Sequence, residues 1–379
     1  MAEPIWFWQR IVSPHMAPLV SALAAQGRDV TYVAEEEMSA DRARQGWRAP
    51  SLGGARLRYL SSIEAIRETV RDAPVNSIHI CQGLRGNGLV GEAQKALAKH
   101  ALRQWTIMET VEDRGWRGVL RRMEYRRLSH RSRSRLEGVL AIGDTTADWL
   151  VARGMPSEHI FPFSYFLSDR DVPASNGFNS VAPFRFLYVG RFIEGKRIDL
   201  LIDALAALSR QDFEVVLAGS GPLEGDLRIR AEEKLANRVQ WLGRRSIGEI
   251  PAIMASADCL VLPSRHDGWG AVVSEALMVG TPAICSDACG SAGVVRASGR
   301  GGVFQAEDKA ALSRLLSSSM AHGRQTSAAR RALAIWAQRL GANVGADYLQ
   351  KILAYSADKT THKKPNAPWF EEGKGLEVL

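Results

Sequence analysis

Short apolar runs alternate along the chain with longer stretches whose apolar residues recur every three or four positions. The first run, Ile5–Trp8, predicts a strand. A loop from Gln9 to Pro14 follows, then a helical run Met16–Gln26 that Gly27 ends, then a strand Val30–Ala34. Ser77–Cys81, Gln104–Met108 and Gly138–Ile142 are further strands. The stretch Phe161 to Phe184 breaks the pattern. It carries Pro162, Pro173, Gly177 and Pro183 and is the best linker in the chain.

The pattern then restarts. Strands are expected at Phe186–Val189, Glu214–Ala218, Val239–Leu242, Cys259–Leu262 and Thr281–Ser286. Helices are expected at Ile198–Leu208, Leu223–Ala236, Ile247–Ala255 and Val272–Val279, and again at Asp308–Ser319 and Ala328–Leu353. Strand–helix alternation implies right-handed crossovers and parallel sheets, hence two α/β halves. The expected domains are 1–170 and 171–355, with the last helix packing back toward the first domain. A polar segment, 356–379, is expected to be a surface extension or disordered.

Composition narrows the class. The 379 residues favour two domains, and 46% apolar with 24% charged residues is a globular balance. No apolar run is long enough to span a bilayer, and no signal peptide is evident at the start. Cys81, Cys259, Cys285 and Cys289 are too few and scattered for a disulfide framework, and no neighbouring Cys or His completes a zinc set. Together these features point to the cytoplasm.

The net charge of +8 suits an anionic partner. Nine arginines between Arg114 and Arg135 face one glutamate, Glu124. Trp116, Val119, Leu120, Met123 and Leu128 recur among them at helical spacing, which describes a basic amphipathic helix. Such a helix is either a solvated surface face or a contact for anionic lipid, which would make the protein peripheral on a membrane. No nucleic-acid-binding motif accompanies it, so nucleic acid is not an expected partner.

In open parallel sheets, ligands sit at the carboxyl ends of strands. The second half puts unusual residues there. Gly190 and Arg191 end one strand and Lys196 follows. Glycine lets a ligand approach the backbone, and arginine and lysine suit a diphosphate and stabilise it as a leaving group. Gly219-Ser220-Gly221-Pro222 ends the next strand without forming the dinucleotide fingerprint. In the stretch Asp267, Gly268, Trp269, Gly270 to Glu275, two carboxylates flank a glycine loop and the first turn of a helix. The free N–H groups there suit an anion or a hydroxyl, and the acids suit hydroxyls on two rings.

These residues, in the order Tyr188-Val189-Gly190-Arg191, Lys196, Gly219 to Pro222, Leu262-Pro263-Ser264, Asp267, Glu275 and Gly280-Thr281-Pro282, resemble glycosyltransferase family 4. The resemblance is strong over 184–305 and weaker before it. It implies an α/β GT-B fold, two Rossmann-like domains facing a central cleft. It also implies retaining transfer of a sugar from a nucleotide diphosphate donor to an acceptor, with no metal or other cofactor; the arginine-rich helix favours a glycan or lipid-linked acceptor. Arg191 and Lys196 would hold the diphosphate, Glu275 the ribose, and Asp267 with the amides near Trp269 and Gly270 the transferred sugar.

Two departures stand out. Asp267 occupies a position where the family usually has Glu. The first half also lacks the family's histidine after a strand, where Trp105 to Glu109 now stand, leaving Glu109 and His15 as candidates to take its place. A GT-B epimerase or phosphorylase, or a non-catalytic nucleotide-sugar-binding partner, is the alternative reading.

Overall fold

The computed structural model describes residues 3–38, 49–86, 88–169, 182–210 and 212–370. The chain divides into two compact units, Met1–Asp169 with Leu340–Pro368, and Arg170–Arg339 with Trp369–Leu379.

The first unit is built on a parallel sheet ordered β3-β2-β1-β4-β5-β6-β7. Its strands are β1 (Ile5–Ile11), β2 (Val30–Glu36), β3 (Arg56–Tyr59), β4 (Ile78–Gln82), β5 (Arg103–Glu109), β6 (Leu136–Ile142) and β7 (Ile160–Phe163). Its helices are α1 (Ala17–Ala25), α2 (Ile63–Arg71), α3 (Leu89–Lys99), α4 (Gly115–Ser132) and α5 (Thr146–Val151). Trp6 and Trp8 of β1 bury against Ile66 and Val70 of α2 and Val90, Ala93 and Leu97 of α3. Both sides of the central strands are covered, as an all-parallel sheet requires.

The second unit carries a parallel sheet ordered β10-β9-β8-β11-β12-β13. Its strands are β8 (Phe184–Val189), β9 (Phe213–Ala218), β10 (Val239–Gly243), β11 (Cys259–Leu262), β12 (Ala283–Ser286) and β13 (Gly301–Phe304). The helices are α6 (Ile198–Ala206), α7 (Glu224–Leu235), α8 (Ile250–Ala255), α9 (Ala271–Met278), α10 (Ala292–Ser298), α11 (Lys309–His322) and α12 (Ser327–Ala337). After α12 the chain joins the first unit. There α13 (Ala342–Ala357) packs on α1, with Gln26 Nε2 donating to Asp347 Oδ1 at 2.9 Å and Gln350 Nε2 to Gln26 Oε1 at 2.8 Å.

Several expectations need correction. β1 continues through Gln9 to Ile11, where a loop was expected. The expected linker begins inside β7, an edge strand, where Pro162 is tolerated because its missing N–H faces no neighbouring strand. Pro173 and Gly177 of that linker lie outside the described residues. The single helix expected over 328–353 is broken by a 3₁₀ turn at Gln338–Leu340, and α13 starts after Gly341. In the segment after α13, residues 359–363 are exposed, while Ala367 and Trp369 are buried and Lys364 Nζ donates to the Ser157 carbonyl at 2.9 Å. Residues 371–379 lie outside the described set.

The helix α4 meets the core with Gly118, Tyr125, Ser129 and Ser132. Trp116, Val119, Leu120 and Met123 are instead exposed, Trp116 by 71%. The arginines at 117, 126, 127 and 131 are exposed with them. Arg121 and Arg122 donate to the carbonyls of Glu112 and Asp113, closing the loop before the helix. Gly118 is required there, because a Cβ would meet the Asp113 carbonyl oxygen at 1.7 Å.

Candidate functional site

Strand order reverses direction between β8 and β11, so the loops after these strands diverge and leave a crevice at their carboxyl ends. Lys196 follows β8 and Asp267 follows β11. Lys196 Nζ donates to Asp267 Oδ2 at 2.5 Å, with the two side chains 24% and 17% exposed. Two parts of the expected constellation, 71 residues apart in sequence, therefore meet at the switch point as a partly desolvated, charge-assisted pair.

The loop after β8 is shaped by its apolar member. Phe192 is fully buried, its ring 6.1 Å from Tyr188 and 5.8 Å from Trp241, while Arg191 beside it is exposed. Tyr188 Oη donates to the Arg191 carbonyl at 3.0 Å, and burial pushes that phenol well above its usual range. A 3₁₀ turn, Glu194–Lys196, follows and ends on Arg197 at φ 53°. A left-handed arginine needs outside support. Arg197 pairs with Asp199 at 3.1 Å and with Glu307. Glu307 also accepts from Arg265 Nε at 2.8 Å, and Arg265 Nη1 donates to Glu194 at 2.9 Å. This ionic chain, together with Arg265 N–H donating to the Gly195 carbonyl at 2.8 Å, fixes the turn that presents Lys196. The sequence reading missed Arg197 and Glu307. Their signal, ordinary surface charge, has no spacing that marks it.

The loop after β11 is locked onto the loop after β12. Asp267 N–H donates to Ala288, Gly290 N–H to Asp267 and Ser291 N–H to Trp269, at 2.8–3.1 Å. Ser286 Oγ donates to the Ser264 carbonyl at 2.5 Å. Trp269 is buried, and its Nε1 donates to Ser274 Oγ at 3.2 Å, so the ring anchors the loop. Gly270 at φ 81° starts α9, whose N-terminus has no side-chain cap. Gly268 stands two residues before that start, and Glu275 is half-buried within α9.

Gly219 and Gly221 serve packing. Cβ atoms there would meet the Gly190 carbonyl oxygen at 1.8 Å and the Phe192 carbonyl oxygen at 2.4 Å. The β9 loop, with Pro222 opening toward α7, thus lies flat against the β8 loop; Gly190 N–H donates to Ala218 and Phe192 N–H to Ser220, both at 3.0 Å. Among the described residues, no group of three or more His, Cys, Asp or Glu is arranged to hold a metal ion. All four cysteines are free and buried.

In the first unit the corresponding switch point lies between β1 and β4. A cavity of about 210 Å³ at the strand ends there is lined by Gln9, Ser13, Gln82, Glu109, Tyr125 and Tyr165, with apolar neighbours. His15 stacks on Tyr165 with ring centroids 5.0 Å apart. Glu109 and His15 thus share one region of the first unit. Asn87, after β4, lies outside the described residues.

His79 plays a different part. It is fully buried; Trp8 Nε1 donates to its Nδ1 at 3.0 Å, and Ser77 Oγ lies 2.8 Å from its Nε2. The Ser77 hydroxyl donates to the Pro74 carbonyl, so His79 must be the donor to Ser77. That makes the ring neutral, and burial lowers its pKa to about 3.

Residues 175–334 match the family described as Glycosyl transferases group 1. An alpha-D-kanosaminyltransferase of Streptomyces kanamyceticus is 30% identical over 166 residues, 40% of this chain and 43% of that protein. A GDP-mannose-dependent alpha-(1-6)-phosphatidylinositol dimannoside mannosyltransferase of Mycobacterium tuberculosis is 34% identical over 102 residues, 26% of each. The crystal structure of Anabaena Alr3699/HepE in complex with UDP superposes with a TM-score of 0.71 at 14% identity, covering 93% of this chain and 100% of that one. The fold is GT-B, as the resemblance implied, and the match to group 1 glycosyl transferases lies within residues 175–334.

Proposed function

We propose that this chain, built around a group 1 glycosyltransferase domain, moves a sugar from a nucleotide diphosphate donor to an acceptor held by its first unit, with retention at the anomeric carbon. The observation that carries this reading is the Lys196–Asp267 pair at the β8/β11 switch point. A cation and an acid that neutralise each other there can exchange partners when a donor enters. Lys196 turns with Arg191 to the diphosphate, and Asp267 turns to a hydroxyl of the transferred sugar. Glu275, half-buried on α9, accepts from the ribose.

The C1–O bond to the diphosphate then breaks, with the leaving charge met by two cations and the first-turn N–H groups of α9. The acceptor oxygen bonds to C1 on the face the diphosphate leaves, and its proton passes to a phosphate oxygen. The reading assigns charge neutralisation to side chains and requires no resident metal. UDP in the superposed Anabaena protein and GDP-mannose in the name of the mycobacterial relative are reasons to screen both bases. Thermal melts of the full chain with UDP, GDP, ADP and dTDP test it. One nucleotide should raise the melting temperature, and Lys196→Ala should abolish that shift. If none of the four produces a shift, the donor reading fails.

We propose further that α4 lies on an anionic membrane surface, because an exposed Trp116, Leu120 and Met123 share the helix with exposed arginines. No helix among the described residues is long and apolar enough to cross a membrane, so contact would be peripheral. The protein should pellet with phosphatidylglycerol liposomes at low salt, and Arg126→Gln/Arg127→Gln/Arg131→Gln should remove that pelleting. Unchanged pelleting would discard the helix as an anchor.

A further inference from the structure

The cavity at the β1/β4 switch point differs in chemistry from the ion-paired crevice in the second unit. Among the described residues its wall contains no lysine, arginine or histidine, and its one charged member is Glu109. Gln9, at the carboxyl end of the central strand, is 3% exposed and forms part of that wall. Its amide nitrogen has no hydrogen-bond partner. A buried amide donor without an acceptor is costly, so a group that brings one is favoured at this spot. A second amide, Gln82, lines the cavity with its Oε1 accepting from the Arg10 N–H at 3.2 Å. Tyr125 and Tyr165 add apolar ring faces with a polar tip.

We infer that this cavity takes one hydroxyl-rich ring bearing no phosphate or carboxylate, and that Gln9 is the residue that selects it. Three observations support this. A ring hydroxyl or ring oxygen supplies the acceptor that Gln9 lacks. An anionic substituent would find no lysine, arginine or histidine among the described wall residues to receive it. The volume, about 210 Å³, is below the ~300 Å³ at which pockets for drug-sized ligands begin, so it suits a single ring. On the function proposed above, on which this inference rests, the ring is the acceptor, and any charged carrier attached to it stays outside the cavity.

The test is saturation-transfer NMR on the full chain without nucleotide, using glucose, myo-inositol, glucose 6-phosphate and glucuronate as probes. Glucose or myo-inositol should bind, with at least tenfold weaker affinity for the two anions. Gln9→Met, which keeps size and removes the amide, should weaken ring binding about tenfold with a melting temperature equal to or above that of the wild type. If that variant does not fold, Gln82→Met at the same wall gives the reading. Equal or tighter binding of the anions, no binding by either neutral ring, or binding insensitive to the amide variants would each overturn the inference. A nucleotide diphosphate titration of the same samples separates the two ideas. Intact nucleotide binding without ring binding sinks this inference alone, whereas no nucleotide binding sinks the donor reading.

Discussion

The two switch points share one plan and differ in what crosses them. In the second unit the β8 and β11 loops are joined by Lys196 and Asp267, and the turn carrying Lys196 is braced by Glu194, Arg265, Glu307 and Arg197. In the first unit β1 and β4 are joined lower down by Trp8, His79 and Ser77, a chain of neutral hydrogen bonds inside the core. Above it lies a cavity with one carboxylate and two amides. On the proposed function, cations are gathered where a leaving diphosphate would need them and are absent from the described wall where a hydroxyl would need only to be placed. Ion pairs at a crevice can be exchanged for ligand contacts; a fully satisfied buried chain cannot.

The contrast can be broken first at Lys196. Lys196→Ala should lower sugar transfer by about 10²–10³-fold, the scale of removing one preorganised electrostatic group. Glu109→Gln, in the other unit, should leave nucleotide binding unchanged. Steady-state kinetics with donor titration measures both, and a Lys196→Ala enzyme with near-normal turnover would end the assignment.

The neutral staple makes the next largest prediction. His79 has a folded pKa of about 3 against an ordinary value of 6.5. Between those values the unfolded chain binds the proton and the folded chain does not, so stability falls as pH drops through this window. Near pH 5 the slope should be about 1.4 kcal/mol per pH unit, one proton's worth. Urea midpoints of wild type and His79→Gln, compared from pH 7 to 4.5, isolate it; parallel curves would mean that the buried ring titrates normally.

A smaller effect is expected from the brace. Glu307→Ala removes the partner shared by Arg197 and Arg265 without touching the crevice pair. It should raise the KM for donor about three- to tenfold and leave the first unit's ring binding alone. An unchanged KM would show that Lys196 needs no such support. The smallest expected effect is none: saturating EDTA should leave transfer within about twofold, and a collapse of activity restored by a divalent cation would show that the cationic side chains do not suffice.

The candidate donor residues were legible because most of them sit in loops after strongly apolar strands. Gly190, Arg191, Lys196 and Asp267 could be placed after strand ends, and Glu275 on the helix that follows, from the sequence itself. Several elements were not legible. β3 is an edge strand of only four residues, all exposed, too short to stand out from a loop, and β13 opens with two glycines. The helices α2, α3 and α10 were missed as well. Gln9 was hidden because a polar residue after Trp8 suggests a loop; only the pairing of Gln9 with Ala34 extends the strand past it.

Periodicity and strand-end chemistry by themselves determined that this chain folds as two parallel α/β sheets and that the second carries the cations and acids, since both follow from local spacing. The tertiary structure alone decided which acid meets Lys196, 71 residues away, that Gly219 and Gly221 serve packing, and that the stripe beginning at Trp116 faces outward. It also decided that the wall around Gln9 is without cations. Those outcomes depend on which distant loops share a sheet end, and that is set by strand order, which no local pattern encodes.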